Sequence, residues 1–117
     1  MIAVIFELEA RSGRKDEYFA IAEHLKPLVE DTDGFISIER FQSVTNPDKY
    51  LSLSFWRDEE AVTVWRRNME HQAAQRKGRE HIFSTYRLRV ARVVRDYDQF
   101  NRQQAPDAFE HGGAEPR

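Results

Sequence analysis

Two periods of hydrophobic and polar residues alternate along this chain. Residues 2–9, IAVIFELE, repeat every second position, with Ile2, Val4, Phe6 and Leu8 on one face. Ala3 and Ile5 make the other face apolar at its start, and Glu7 and Glu9 make it polar further on. A strand apolar on both faces belongs inside its sheet. After a turn at residues 11–14, RSGR, the period becomes helical. Tyr18, Ile21, Ala22, Leu25, Leu28 and Val29 form one stripe, which predicts a helix from Arg14 or Lys15 to Asp31. Pro27 lies inside that stripe. Its missing N–H predicts a kink near residue 23 or a local break. Asp33-Gly34 ends the helix.

Residues 35–43, FISIERFQS, read as a second strand, and residues 45–49, TNPDK, as a hairpin loop. The third strand runs from Tyr50 to Trp56 with strict alternation. Asp58 then offers a helix N-cap, and Glu59 and Glu60 suit the positive end of the helix dipole. Val62, Trp65, Arg66 and Met69 follow at helical spacing. Asn68 is expected to interrupt them, with a second segment from about Glu70 to Lys77 and Gly78 as its C-cap. Residues 79–84 read as an irregular connection, and Thr85 to Asp96 as the last strand. From Tyr97 the chain is polar, with two prolines and a Gly-Gly pair.

The order β-α-β-β-α-β, with a central hairpin, predicts an α+β fold of the ferredoxin-like kind: an antiparallel sheet with both helices on one face. Right-handed crossovers give the spatial order 4-1-3-2. The helix-covered face is expected to hold Ile36, Ile38, Leu51, Leu53 and Phe55. The other face is expected to hold Phe35, Phe41, Ala91, Val93 and Trp56. The second set would form an exposed apolar patch, which a homodimer joined through its sheet faces would cover. Glu7, Glu39, Arg87 and Arg89 would lie near that join, and Trp56 would pack there.

Composition narrows the class. A chain of 117 residues is one domain with one modest core. A net charge of -2 speaks against a general nucleic-acid or membrane-surface binder. The chain has no cysteine, which excludes disulfides and thiolate chemistry and suits a reducing cytoplasm. The apolar run at residues 1–6 is far short of the roughly 20 residues of a membrane span. No two histidines stand at i, i+4, and no HExxH occurs, so no metal is expected.

Several residues carry a resemblance. They are Gly34-Phe35-Ile36-Ser37, the run from Ser54 to Ala61, Trp65, Glu70-His71, Ala74-Gln75, Gly78-Arg79 and the strand from Tyr86 to Tyr97. In these the chain resembles the antibiotic biosynthesis monooxygenase domain family, a group of dimeric α+β barrels. The resemblance covers residues 1–97 as one domain and leaves 98–117 as a polar tail, flexible or packed on the partner subunit. It implies a pocket between the sheet and the two helices, and cofactor-free oxygenation of aromatic or quinone-type molecules. It also implies that Trp65 stacks against the substrate. The haem-degrading branch of the family carries an axial histidine that falls here near Gln75, which cannot ligate iron in its place. That branch also uses an asparagine on the first strand, where this chain has Phe6, Glu7 and Leu8. Haem degradation is therefore the less favoured reading, and no cofactor is expected.

Four residues become candidates. His71, with an unperturbed pKa of about 6.5, has the chemistry of a general base toward an acidic phenol or anthrone carbon. Its structural alternative is to brace the second helical segment by hydrogen bonding. Trp65 is either a core residue or a stacking platform. Gln75 and His81 are the further substrate-binding candidates. His24 falls on the polar flank of the first helix, and His111, in the tail, reads as solvated. A non-catalytic small-molecule-binding or stress-related module on the same scaffold is the alternative to an oxygenase.

Overall fold

The computed structural model describes residues 1–75 and 83–106, with the side chains of residues 70–75 and 83 outside that description. Six elements follow in order: β1 (Ile2–Ala10), α1 (Lys15–Glu30), β2 (Phe35–Gln42), β3 (Lys49–Trp56), α2 (Glu59–Gln75) and β4 (Phe83–Arg92). The strands form one antiparallel sheet in the order β2-β3-β1-β4. This is the expected ferredoxin-like topology, and β1, apolar on both faces, is internal as its sequence requires.

In α1, Tyr18, Ala22 and Val29 are buried, as the stripe predicts. The expected break at Pro27 does not occur, and the helix is continuous through it. Pro27 sits in the last turn, so its ring disturbs only one hydrogen bond of the ladder. Its carbonyl still accepts from Asp31 N–H at 3.0 Å. Gly34 follows with φ at 92°, a conformation that L side chains resist. Its carbonyl accepts from Arg57 N–H at 2.7 Å, which ties the end of the α1 connection to the start of α2.

Asp58 caps α2 as expected, its Oδ1 accepting from Ala61 N–H at 2.9 Å. That bond, followed by the Arg57 guanidinium at 3.1 Å, holds the carboxyl below the usual aspartate range. The folded value lies below the unfolded one. The stabilisation is therefore fully present above the ordinary value of about 3.9, and is lost as the pH falls through the lowered folded value. Asp58→Ala is expected to lower the melting temperature at pH 7, and the gap to wild type should close as the melts are repeated toward pH 2. A gap of the same size at every pH would assign the cap no role. The expected interruption at Asn68 is absent: α2 is one helix of 17 residues.

The assignment of the sheet faces is reversed for β3. Trp56 has 0% of its surface exposed and belongs to the core with Ile2, Val4, Val29, Ala61 and Val62. Leu51, Leu53 and Phe55 take the open face, where they are half-buried. The register explains this. Trp56 is opposite Ile2, Ser54 opposite Val4 and Tyr50 opposite Leu8, and β1 places Ile2, Val4 and Leu8 under the helices. Small serines at 52 and 54 leave room there for a tryptophan and the helices above it. Ser54 Oγ also accepts from Trp56 Nε1–H at 2.9 Å, so the buried indole is satisfied. Trp56 is therefore a core residue and not part of an intersubunit join. Phe35 also packs against this core, whereas Ile36 is 51% exposed. A register shift between Phe35 and Ser37 makes Ile36 the bulged residue. Ile38 packs on the core as expected.

β4 starts earlier and stops earlier than its sequence suggests, at Arg92, after which Val93 N–H donates to Met1 carbonyl at 3.0 Å. The described part of the tail folds locally. Asp98 accepts from the N–H groups of Phe100 at 2.8 Å and Asn101 at 2.7 Å, and these bonds hold its carboxyl below the usual range.

Candidate functional site

The aromatic residues of β2, β3 and α2 converge on one side of the sheet. Seven residues after its cap, α2 presents Trp65, half-buried, on the face that buries Ala61 and Val62. The Trp65 ring lies 5.2 Å from that of Trp56, at 31° between planes. Phe35 meets the other ring edge-on at 5.4 Å and 77°. The two indoles differ in one respect. Trp56 donates to Ser54, whereas Trp65 Nε1–H is shielded from solvent and has no hydrogen-bond partner. Buried donors are almost always paired, so this one is an exception to be explained.

The same side of the sheet carries uncovered apolar surface. On β4, Tyr86, Leu88 and Val90 are 68%, 41% and 46% exposed. They stand opposite Leu8, Phe6 and Val4 of β1, and the Tyr86 ring is 5.9 Å from that of Phe6. Trp65 and this strip flank the Val4 region of the core.

Of the other candidates, His71 and Gln75 belong to α2 by their backbone, but their side chains lie outside the described residues. His81 lies outside them entirely. Because α2 is continuous, its positions advance by about 100° per residue. Position 71 then stands about 120° around the axis from Trp65 and position 75 about 80° from it, both on the same flank. Val64 and Arg67, both exposed, bracket position 71 on that flank.

A cleft of about 280 Å³ lies elsewhere, at the hairpin end of the sheet, and Glu7, Phe41, Lys49 and Leu51 are among its walls. Trp65 does not line it. Its residues come from three strands, and only the pairing of those strands brings them together. Among the described residues no cluster of histidine, aspartate and glutamate could hold a metal. No described helix is long and apolar enough to cross a membrane. The helix side of β1 offers a haem group no polar contact at residues 6 and 8, which are a phenylalanine and a leucine.

The family model described as antibiotic biosynthesis monooxygenase matches residues 1–77. The chain belongs to this family. Within it, the chain is similar to the jasmonate monooxygenase ABM of Pyricularia oryzae, at 44% identity over 94 residues. That match takes in 80% of this chain but 44% of the relative, so the chain spans less than half of that protein's length. It is also similar to the uncharacterised protein YqjZ of Bacillus subtilis, at 37% identity over 80% of this chain and 79% of that one. Among solved structures, the haem degrader MhuD of Mycobacterium tuberculosis, with two haems in its active site, shares the fold of this family member. The TM-score is 0.64 at 23% identity, over 84% of this chain and 100% of that one.

Proposed function

We propose that this family member is a cofactor-independent monooxygenase that takes a small aromatic or quinone-type molecule on the helix-covered side of the sheet. The observation that carries the reading is the Trp65 indole, half-buried on the side of the sheet where β4 leaves apolar residues exposed, with its N–H shielded and unpartnered. The 44% identity to a protein named as a monooxygenase supports the class of reaction. The name of that relative gives jasmonate as a second substrate to try.

The chemistry needs few groups. A base removes a proton from an activated CH₂ or from a phenol of the substrate, and the resulting carbanion passes electrons to dioxygen. One oxygen atom ends in the product, as the new carbonyl of an anthrone-type substrate or the new hydroxyl of a quinol-type one, and the other in water, so the substrate is the only reductant. The Trp65 ring would stack on the substrate, and its N–H would donate to the substrate oxygen on which charge builds. We assign the proton to His71, the one histidine on α2. With position 71 about 120° from Trp65, the substrate must then lie along the flank of α2 between the two.

Oxygen uptake with an anthrone, a quinol and jasmonic acid, each in the presence of a chelator, tests this. Trp65→Phe keeps the stack and removes the donor, and should lower kcat/KM about 10-fold. His71→Ala should abolish the acid limb of the rate profile. No uptake with any of the three would sink the enzyme reading. Binding without turnover would then favour a small-molecule-binding module, a reading that the close packing of Trp65 on Trp56 also supports. We further assign a homodimer, joined through the open sheet face, where Leu51, Leu53 and Phe55 are only half-buried.

A further inference from the structure

Helix α2 has a flank on either side of its buried face, and the proposed oxygenation uses only one of them. The ion pair between Arg92 Nη2 and Glu59 Oε1, at 3.7 Å, fixes which flank faces β4. At about 100° per residue, Arg66 stands within about 20° of Glu59, on the same flank. Trp65 and position 71 each stand about 120° from Glu59, one to either side. The space between those two is therefore on the opposite side of the helix from the flank that faces β4.

Below that flank the sheet is open. Tyr86, Leu88 and Val90 follow one another on the helix side of β4 and are 68%, 41% and 46% exposed. Leu8 and Val4, which pair with Tyr86 and Val90, are each 1% exposed, so the cover stops between β1 and β4. The strip is about 14 Å long. Trp56, Ile2 and Arg92 share one row, and α2 starts just beyond it, so the helix runs back along β4 from its Arg92 end. The seven residues from Glu59 to Arg66 advance about 10 Å along the helix. About three residues of strand cover the same distance, which sets Arg66 level with Leu88 and Val90. Arg66 is exposed and makes no ion pair among the described residues. Glu59, the acid on this flank nearest the strand end, is already engaged by Arg92.

An apolar floor with an uncommitted guanidinium above it matches a small amphipathic acid. A guanidinium takes a carboxylate through two parallel N–H···O bonds, a geometry that a neutral head group does not fill. The floor is one strand wide. Three side chains fall well short of the roughly 800 Å² that each partner brings to a stable protein interface, so this surface suits a small molecule and not a second protein. We infer that the trough between α2 and β4 binds a small molecule with a linear apolar body and one carboxylate. The body lies along Tyr86, Leu88 and Val90, and the carboxylate meets Arg66. The site is separate from the one assigned to oxygenation, and its occupancy is read without turnover.

Isothermal titration calorimetry of the full chain with decanoate, and with 1-decanol as its uncharged match, decides the matter. Each variant is checked for folding by circular dichroism. Decanoate should bind at one per chain and about 10-fold more tightly than the alcohol, because hydrogen bonds between charged groups are the stronger ones. Arg66→Gln should weaken decanoate about 10-fold and leave the alcohol unchanged. Leu88→Ser, which keeps the arginine and interrupts the floor, should weaken both alike. No binding of decanoate, or equal binding to wild type and Arg66→Gln, overturns the site. Equal affinity of the wild-type chain for acid and alcohol overturns the carboxylate. A decanoate affinity that falls with Trp65→Phe and not with Leu88→Ser places the ligand on the other flank and overturns the trough.

Discussion

Trp56→Ala is expected to destabilise the domain by about 3–5 kcal/mol, the largest loss of any single substitution considered. Trp56 is the largest fully buried side chain, and it contacts elements from both layers. Ile2 of β1 and Phe35 of β2 stand on its two sides in the sheet, and Trp65 of α2 packs on its ring. Truncation to alanine removes the aromatic contacts to Phe35 and Trp65, and leaves a cavity that a sheet and a capped helix cannot easily close. It also takes the donor from Ser54 Oγ, which is 3% exposed. Trp56→Phe should keep most of the packing but still leave that hydroxyl unpaired, and fall about halfway. Urea unfolding followed by circular dichroism reads both. A loss below about 1 kcal/mol for Trp56→Ala would mean that this side chain is not in the core, as would be the case at a subunit join.

Gly34→Ala is expected to cost about 3 kcal/mol, for two separable reasons. The backbone stands at φ 92°, where a β-carbon costs about 1–2 kcal/mol. In addition, a β-carbon there would lie 2.6 Å from the β-carbon of Ala61 on α2 and 3.3 Å from the Arg57 guanidinium. The arginine can move, but the Ala61 β-carbon is fixed by the helix. Gly13 is the control. Its φ is also positive, at 77°, but nothing stands within 4 Å of the added carbon. Gly13→Ala should therefore show only the backbone part. Ala61→Gly in the Gly34→Ala background should recover stability despite the poor helix propensity of glycine, which costs about 1 kcal/mol. Equal losses at Gly13 and Gly34 would show that the close approach of the α1–β2 turn to α2 is not as described.

Much of this architecture is legible in the residues. Alternation in IAVIFELE and YLSLSFW, the stripe in α1 and the cap at Asp58 place the elements and, with the crossover rule, their order in the sheet. The faces of β3 are not legible in the same way. Both are rich in apolar residues, and counting favours Leu51, Leu53 and Phe55 over a set diluted by Ser52 and Ser54. What decides is the cross-strand register with β1 and the space that helices need, neither of which is local. The bulge at Ile36 is likewise set by pairing between strands. Asn68 has weak helix propensity, but the packing of Ala61, Val62 and Trp65 carries α2 past it. At the site, the sequence points to Trp65, while the difference between a satisfied and an orphaned indole depends on the fold, which sets Ser54 Oγ beside Trp56 Nε1–H and no acceptor beside that of Trp65. His71, Gln75 and His81 remain proposals from residue chemistry, since their side chains are outside the described residues.

If the proposed reaction takes place, dioxygen reacts with the activated organic substrate itself. Turnover of an anthrone under isotopically heavy dioxygen, with chelator present, decides this. One heavy oxygen atom is expected in the product carbonyl and the other in water, with no loss of rate on chelation. A product without the label, or turnover that stops when metal is removed, would overturn the proposed chemistry.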